Sequence, residues 1–538
     1  MNSRAAIALL ALLIGILVSW LLMHRPEDLG KQTQTRKPRK QALEFAPGNP
    51  SSKRKPIDSS RRLSDFDPRA IPNERIVIFD DEESYRRFLS QLAGANVRNL
   101  GTIDALRAVH LGFDNLADFD NLGLDPDKVD FNYPVTIPET RQLEPQEGIV
   151  GFGTNALAFL GITTDNSQWG RGVKIAVIDT GIVPHLALGG NIQHINLVDL
   201  PDGVAPHSHG TSVASLIAGT HPNMRGVAPA ADLISVRVAD ETGYSTSAVL
   251  AEGIIAATDA GAQLINISMG SEGDSLLVRQ AVDYARERGT VVFASSGNEG
   301  ATLASAPARD PDVFAVGAVD ANGTHLNFSS ADEGLAFTAP GLDIQAALPG
   351  DLVTSFTGTS AAVAYPVGAA AAIMSESPTP LSATEAVAIM QTHSNEAGLP
   401  GQDAQFGHGI LDVGRAINRN TPGITDLAVA SQTYLLPTAE DSSSGLQISI
   451  ENRGTETVYG ATVTIDIADD RFPYTIQSIQ PNERTVVSIP AGLKTLQSEG
   501  ALSVSAVVNL PGGTLDANTT NDQRREVIVL PNESGNGP

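Results

Sequence analysis

Residues 173–182 read VKIAVIDTGI, and the fold follows from them. Apart from Lys174 the first six are apolar, without the alternation of a half-exposed strand. Such a run is a strand buried on both faces, and it needs helices on each side to cover it. It stops abruptly at Asp179-Thr180-Gly181, polar and turn-forming residues at its carboxyl end. Working outward, LISVRV at 233–238, LINI at 264–267, VVFA at 291–294 and VFAV at 313–316 repeat the pattern. Stretches of helical character, 248–260 and 276–287, lie between them. Strand–helix alternation across residues 150–420 predicts an α/β domain, a parallel sheet with helices on both faces.

The flanks have a different grammar. In residues 63–140, RIVIF at 75–79 reads as a strand. Residues 81–92 read as a helix with an acidic first turn and Tyr85, Phe88, Leu89 and Leu92 on one face. Residues 97–103 and 106–111 read as strands, 116–122 as a short helix and 129–135 as a last strand. That β-α-β-β-α-β order is the ferredoxin-like α+β pattern. Residues 424–532 carry short alternating runs at 446–451, 462–467, 484–489, 502–508 and 525–530, separated by Gly, Asn and Pro turns, which predicts an antiparallel β-sandwich.

Charge and cysteine content narrow the function. The 538 residues carry a net charge of −25, but residues 1–62 alone are at +8 and the remainder at −33. A globular part so acidic repels phosphates, so no nucleic-acid partner is expected. With no cysteine, disulfides, thiolate zinc sites and a cysteine nucleophile are excluded.

Residues 1–23 contain an uncharged run, 5–23, long enough to cross a hydrocarbon core. No small-residue cleavage pattern follows it, so it reads as an uncleaved membrane anchor, with a cleaved signal peptide and secretion as the alternative. Residues 24–62, basic and rich in Pro, Ser and Gln, read as a flexible linker. Their charge places the body of the protein on the cytoplasmic side by the positive-inside rule.

Four polar motifs punctuate the α/β region. Asp179-Thr180-Gly181 lies at a strand's carboxyl end, the edge where open α/β sheets gather their sites. His209-Gly210-Thr211 opens a helical run, with His207 a competing imidazole. Ser296-Gly297-Asn298-Glu299-Gly300 follows a strand and offers a side-chain amide. Gly358-Thr359-Ser360 opens a small-residue helix, exposing a hydroxyl and a first-turn N–H. Each alone has a plain structural reading as a turn or a cap. Together they hold what serine catalysis needs: a nucleophile, a base to take its proton, a carboxylate to orient the base, and an oxyanion donor.

VIDTGI, HGTSVA, GVAPAADL, NISMGS, SSGNEG, VFAVGAV and GTSAA, with FGHGILDVGRAI at 406–417, closely resemble the subtilisin-like serine peptidases (subtilases) in the order of that family. The resemblance implies a serine endopeptidase with Asp179, His209 and Ser360 as triad, and Asn298 with the Ser360 N–H as oxyanion hole. It further implies that the backbones of Gly243, Tyr244 and Ser245 and of Ser268, Met269 and Gly270 pair with an extended peptide. Ser295, Ser296 and Glu299 would lie near the first side-chain pocket.

By the same resemblance, residues 63–140 are an inhibitory propeptide, cleaved by the enzyme itself between 135 and 151, and 424–532 an immunoglobulin-like module of the adhesion-associated type, a spacer with a binding arm as the alternative. The partners are then protein or peptide substrates, the chain's own propeptide and, through the N-terminal segment, a membrane. Subtilases with a propeptide are exported, which argues against the charge rule and puts the catalytic domain outside the cytoplasm. No cofactor is required. Calcium is common in the family, but the loop 219–225 holds no Asp or Glu, so no metal site is assigned.

One position departs from the family: Ala364 stands where a proline is usual, and Pro366 follows two residues later. This leaves open a second reading, an inactive membrane-tethered adhesion or scaffold protein. A third, an aspartic protease built on Asp-Thr-Gly, requires a second carboxylate from a dimer.

Overall fold

The computed structural model describes residues 66–138, 148–189, 192–435, 445–467, 470–490 and 501–529. In the first segment β1 (Glu74–Ile78), β2 (Val97–Ile103), β3 (Ala108–Phe113) and β4 (Val129–Asp130) form an antiparallel sheet ordered β2-β3-β1-β4. Asp81 caps α1 (Glu82–Leu92) by accepting from the Ser84 N–H. Tyr85 and Phe88 of α1, with Phe119 of α2 (Leu116–Asp120), pack on Val77, Val109 and Leu111. The alternate residues, Ile76, Ile78 and Ala108, face the other way into the core beneath the neighbouring helices. Both faces of β1 and β3 are therefore buried, the second by another part of the chain, while β2 is largely exposed.

Two expected strands change here. The one placed at 106–111 starts two residues later. Asp104–Leu106 is a 3-10 turn and Arg107 takes a left-handed φ of 51°, which ends the extended backbone. The strand placed at 129–135 divides between two partners, because after β4 the chain leaves its sheet and β5 (Pro134–Thr136) pairs elsewhere.

In the α/β region, β6 (Lys174–Asp179), β7 (Gln193–Asn196), β8 (Asp232–Arg237), β10 (Leu264–Ile267), β11 (Val291–Ser295), β12 (Phe314–Val319) and β13 (Leu335–Pro340) make a seven-stranded parallel sheet. Its order is β13-β12-β11-β10-β6-β8-β7. The short β9 (Tyr244–Thr246) stands outside it and is the partner of β5. The pleat divides β6 as the opening decapeptide requires. Ile175 and Val177 pack beneath α3 (His209–Ala218) and α6 (Thr359–Glu376). Ala176 and Ile178 pack beneath α4 (Ser247–Asp259) and α5 (Leu276–Glu287). β7 and β13 are edge strands additional to the five expected.

The segment between β4 and β5 is tied to the first turns of α4 and α5. The Asn132 side-chain oxygen accepts from the Ala248 N–H (3.0 Å) and the Ser247 hydroxyl (2.9 Å), and the Tyr133 carbonyl accepts from the Ser247 N–H (2.8 Å). Asp130 accepts from the Leu277 N–H (3.2 Å) and the Ser275 hydroxyl (2.9 Å). First-turn N–H groups have no acceptor within their own helix, so these contacts meet a standing need.

The C-terminal part has two antiparallel sheets over one apolar core. β14 (Leu427–Leu435), β15 (Gly445–Asn452) and β18 (Arg484–Ile489) form one. β16 (Val458–Ile467), β17 (Asp470–Ile479), β19 (Ala501–Asn509) and β20 (Gln523–Val529) form the other, ordered β17-β16-β19-β20. Against the α/β region this sandwich presents a buried charge cluster. Glu451 is fully buried and accepts from Arg415 and Arg453, each at 2.9 Å. Arg484 meets Glu396 at 2.6 Å.

The expected membrane anchoring is corrected. Among the described residues no helix is long and apolar enough to cross a membrane, and the run at 5–23 and the linker at 24–62 lie outside them. The anchored placement of the protein, with its catalytic domain outside the cytoplasm, is not retained, nor is secretion inferred from that segment.

Candidate active site

Asp179 is the last residue of β6 and is fully buried. One carboxylate oxygen accepts from the Thr180 N–H (2.7 Å), and both lie 2.9 Å from His209 Nδ1. The carboxylate therefore fixes the imidazole with Nε2 facing away. His209 is the first residue of α3, held there because the Gly210 N–H donates to the Thr180 hydroxyl (3.1 Å). Gly210 has to be glycine, since a Cβ would lie 2.5 Å from the Gly181 carbonyl. Phe356 packs edge-on to the imidazole, centroids 5.4 Å apart.

The rival imidazole, His207, has a supporting part. Its Nδ1 accepts from the His209 N–H (3.3 Å). Burial and then the neighbouring His209 press its pKa below the usual histidine value, with Asp179 opposing. Asp179 faces a histidine and not a second carboxylate, which removes the basis of the aspartic-protease reading.

Ser360 is the second residue of α6, so its N–H has no acceptor within the helix. The turn into α6 is made by Gly358 at φ 138°, where a Cβ would sit 3.0 Å from Asn298 Nδ2. Asn298 works at both ends. Its Oδ1 accepts from the Thr359 N–H and hydroxyl, both at 2.9 Å, and its Nδ2 donates to the carbonyl of Pro138 at 3.3 Å. The side chain thus fastens the start of α6 while holding a backbone carbonyl. The Thr359 anchor carried no signal in the sequence beyond its place next to the serine. α6 runs unbroken through Pro366, and Ala364 is fully buried within it, so the departure from the usual proline leaves the helix continuous.

The Pro138 carbonyl is there because β5 extends into the cleft as a middle strand. On one side Tyr244 pairs with Thr136 and Ser245 with Val135, and the Gly243 carbonyl accepts from the Ile137 N–H (3.3 Å). On the other, Thr136 and Gly270 exchange both backbone bonds at 2.9 Å. Gly243, Tyr244, Ser245 and Gly270 thus meet an extended segment through their backbones. The Met269 side chain is fully buried in the core and turned away. Ser268 faces α6 instead: its carbonyl accepts from the Ser360 hydroxyl (3.2 Å) and its hydroxyl donates to the Ser360 carbonyl (3.3 Å).

Along the segment, Val135 and Pro138 are buried while Thr136 is exposed and Ile137 half-buried. Ser295 and Ser296 are fully buried, their hydroxyls without a partner among the described residues. Glu299 is exposed. Calcium finds no group of three or more His, Asp or Glu able to hold it among the described residues, and no step below runs through a metal.

Comparison with known proteins agrees with this architecture. Residues 170–409 match the Subtilase family. Subtilisin BL of Lederbergia lenta is 36% identical over 247 residues, 45% of this chain and 90% of that protein. Alkaline elastase YaB of Bacillus sp. (strain YaB) is 36% identical over 248 residues, 45% of this chain and 64% of that one. The thermostable alkaline protease of Halalkalibacterium halodurans is 34% identical over 252 residues, 46% and 68% of the two chains. With nearly the whole of one such relative covered, and a parallel sheet of the matching class beneath the site, the chain belongs to the subtilase family and is a subtilisin-like serine endopeptidase.

Proposed function

We propose that peptide bonds are hydrolysed here by Ser360 as nucleophile, with His209 as its base and then acid, and Asp179 orienting and stabilising the imidazolium. Asn298 Nδ2 and the Ser360 N–H receive the oxyanion. The observation that carries this reading is the Pro138 carbonyl on Asn298 at 3.3 Å, at the end of a segment bonded on both sides. A peptide held that way is bound as an added strand, mostly through its backbone, so specificity is broad. Preference falls on the two positions that Val135 and Pro138 occupy, both buried and apolar.

Residues 63–140 act as an intramolecular inhibitor that fills the cleft until the enzyme cuts it. Residues 150–420 are the catalytic domain, and 424–532 form a β-sandwich joined to it by the Glu451 cluster. The test is intact mass and fluorophosphonate labelling of the wild type beside Ser360→Ala. The wild type loses about the first 140 residues and takes label at Ser360, while the variant stays full length and unlabelled. A labelled Ser360→Ala, or a wild type that never labels, refutes the assignment.

A further inference from the structure

The strand in the cleft ends on a residue that cannot complete its own pattern. Thr136 and Gly270 form a hydrogen-bonded antiparallel pair. In such a ladder the next bonded pair lies two residues along each strand, here Pro138 against Ser268. An ordinary residue at 138 would donate its N–H to the Ser268 carbonyl. Proline has no N–H. That carbonyl accepts instead from the hydroxyl of Ser360, at 3.2 Å.

We propose that Pro138 supplies the carbonyl attacked in self-processing and that its missing N–H slows the attack, because the Ser268 carbonyl it leaves open holds the hydroxyl of Ser360. The inference rests on the catalytic reading given above. A serine hydroxyl has one proton to donate. While that proton is given to Ser268 it is not offered to His209 Nε2, and the nucleophile is not activated. A substrate with any residue but proline at this position fills the Ser268 carbonyl with its own N–H and frees the hydroxyl. The chain's own strand is therefore a poor substrate on an otherwise competent enzyme, which prolongs inhibition by the precursor.

The reaction is an ordinary acyl transfer. Ser360 Oγ bonds to the Pro138 carbonyl carbon, and the bond from that carbon to the nitrogen of residue 139 breaks. The hydroxyl proton passes through His209 to the departing nitrogen. Water then cleaves the ester, leaving a carboxylate on Pro138 and restoring the Ser360 hydroxyl.

The experiment follows the appearance of the processed form by intact mass and N-terminal sequencing in full-length wild type and Pro138→Ala. The new N-terminus is expected at Glu139 in both, appearing about 2- to 10-fold faster in Pro138→Ala, the worth of one net hydrogen bond. Thermal melting of Pro138→Ala in a Ser360→Ala background checks that the precursor folds. Independently of folding, processed enzyme is given Val-Thr-Ile-Pro and Val-Thr-Ile-Ala peptides with a chromogenic amide, and the alanine peptide turns over faster by a similar factor or more. A first residue other than Glu139, or equal or slower turnover of the alanine forms, overturns the proposal while fluorophosphonate labelling of Ser360 leaves the catalytic reading intact. Loss of that labelling in every form brings down the catalytic reading and this one with it.

Discussion

Replacing Glu451 by Gln tests what holds the sandwich to the catalytic domain. The carboxylate is fully buried and accepts from Arg415 Nη1 (2.9 Å), Arg453 Nε (2.9 Å) and the Glu396 N–H (3.1 Å), with Arg484 Nε at 3.6 Å. Glutamine keeps the shape and one acceptor, but turns an NH2 toward a guanidinium and removes the carboxylate that is Arg415's ion-pair partner among the described residues, Arg415 itself being 6% exposed. Leaving one member of a buried pair uncompensated costs about 3–5 kcal/mol. Arg484, 29% exposed, adds little because solvent screens it. With an m-value of about 2 kcal/mol/M, the urea midpoint falls by about 2 M. The assay is urea unfolding in a Ser360→Ala background, which prevents self-digestion. Burial alone would raise the Glu451 carboxyl, yet Arg415, Arg453 and Arg484 hold it well below the usual carboxylate range. Its contribution is thus complete above the unfolded value and lost only in acid, so the gap between the two proteins persists at pH 7 and closes as the pH falls. A midpoint shift under about 0.5 M at pH 7, worth about 1 kcal/mol or less, refutes the reasoning.

Two further outcomes follow from the same geometry. Asn298→Asp keeps the acceptor for Thr359 but loses the Nδ2 donor that meets the Pro138 carbonyl, so on the proposed mechanism it is expected to fold as the wild type does and lose kcat. In subtilisin itself, removing such a donor costs about 10²–10³ in kcat, and that magnitude is carried over from it; a loss under tenfold with a peptide substrate would speak against Asn298 as oxyanion donor. Burial pushes the Glu396 carboxyl up to about 7, with Arg484 opposing. The folded state then binds the extra proton between about pH 4.5 and 7, so stability declines as the pH rises through that window. Glu396→Gln removes that slope; parallel urea midpoints against pH for the two proteins would disprove it.

The parallel sheet was legible because β6, β8, β10, β11 and β12 are apolar runs that only a doubly covered sheet can bury. Its edges were not. β7 is mostly exposed and polar, and β13, LAFTAP, lacks β-branched residues apart from Thr338. The split of 129–135 was invisible for another reason. Nothing local in those residues says that β4 and β5 take different partners, because the partners lie more than a hundred residues away in the chain for one and in the same module for the other. The site's residue types could be named from Asp179, His209, Asn298 and Ser360 in order, but not the register that sets Pro138 against Ser268. The Glu451 cluster left no trace in the sequence at all. Its five charges are spread over positions 396–484, and only tertiary packing decides which charges lose solvent.

The contacts of Asp130 and Asn132 with the first turns of α4 and α5 have a consequence in time. On the processing proposed above, these bonds belong to a segment that is removed: the precursor would form the two helices against acceptors already in place, and the processed enzyme would form them with those N–H groups facing water. A processed chain once unfolded would then lack acceptors that its precursor carried, and its lifetime would be set by an unfolding rate, not by an equilibrium.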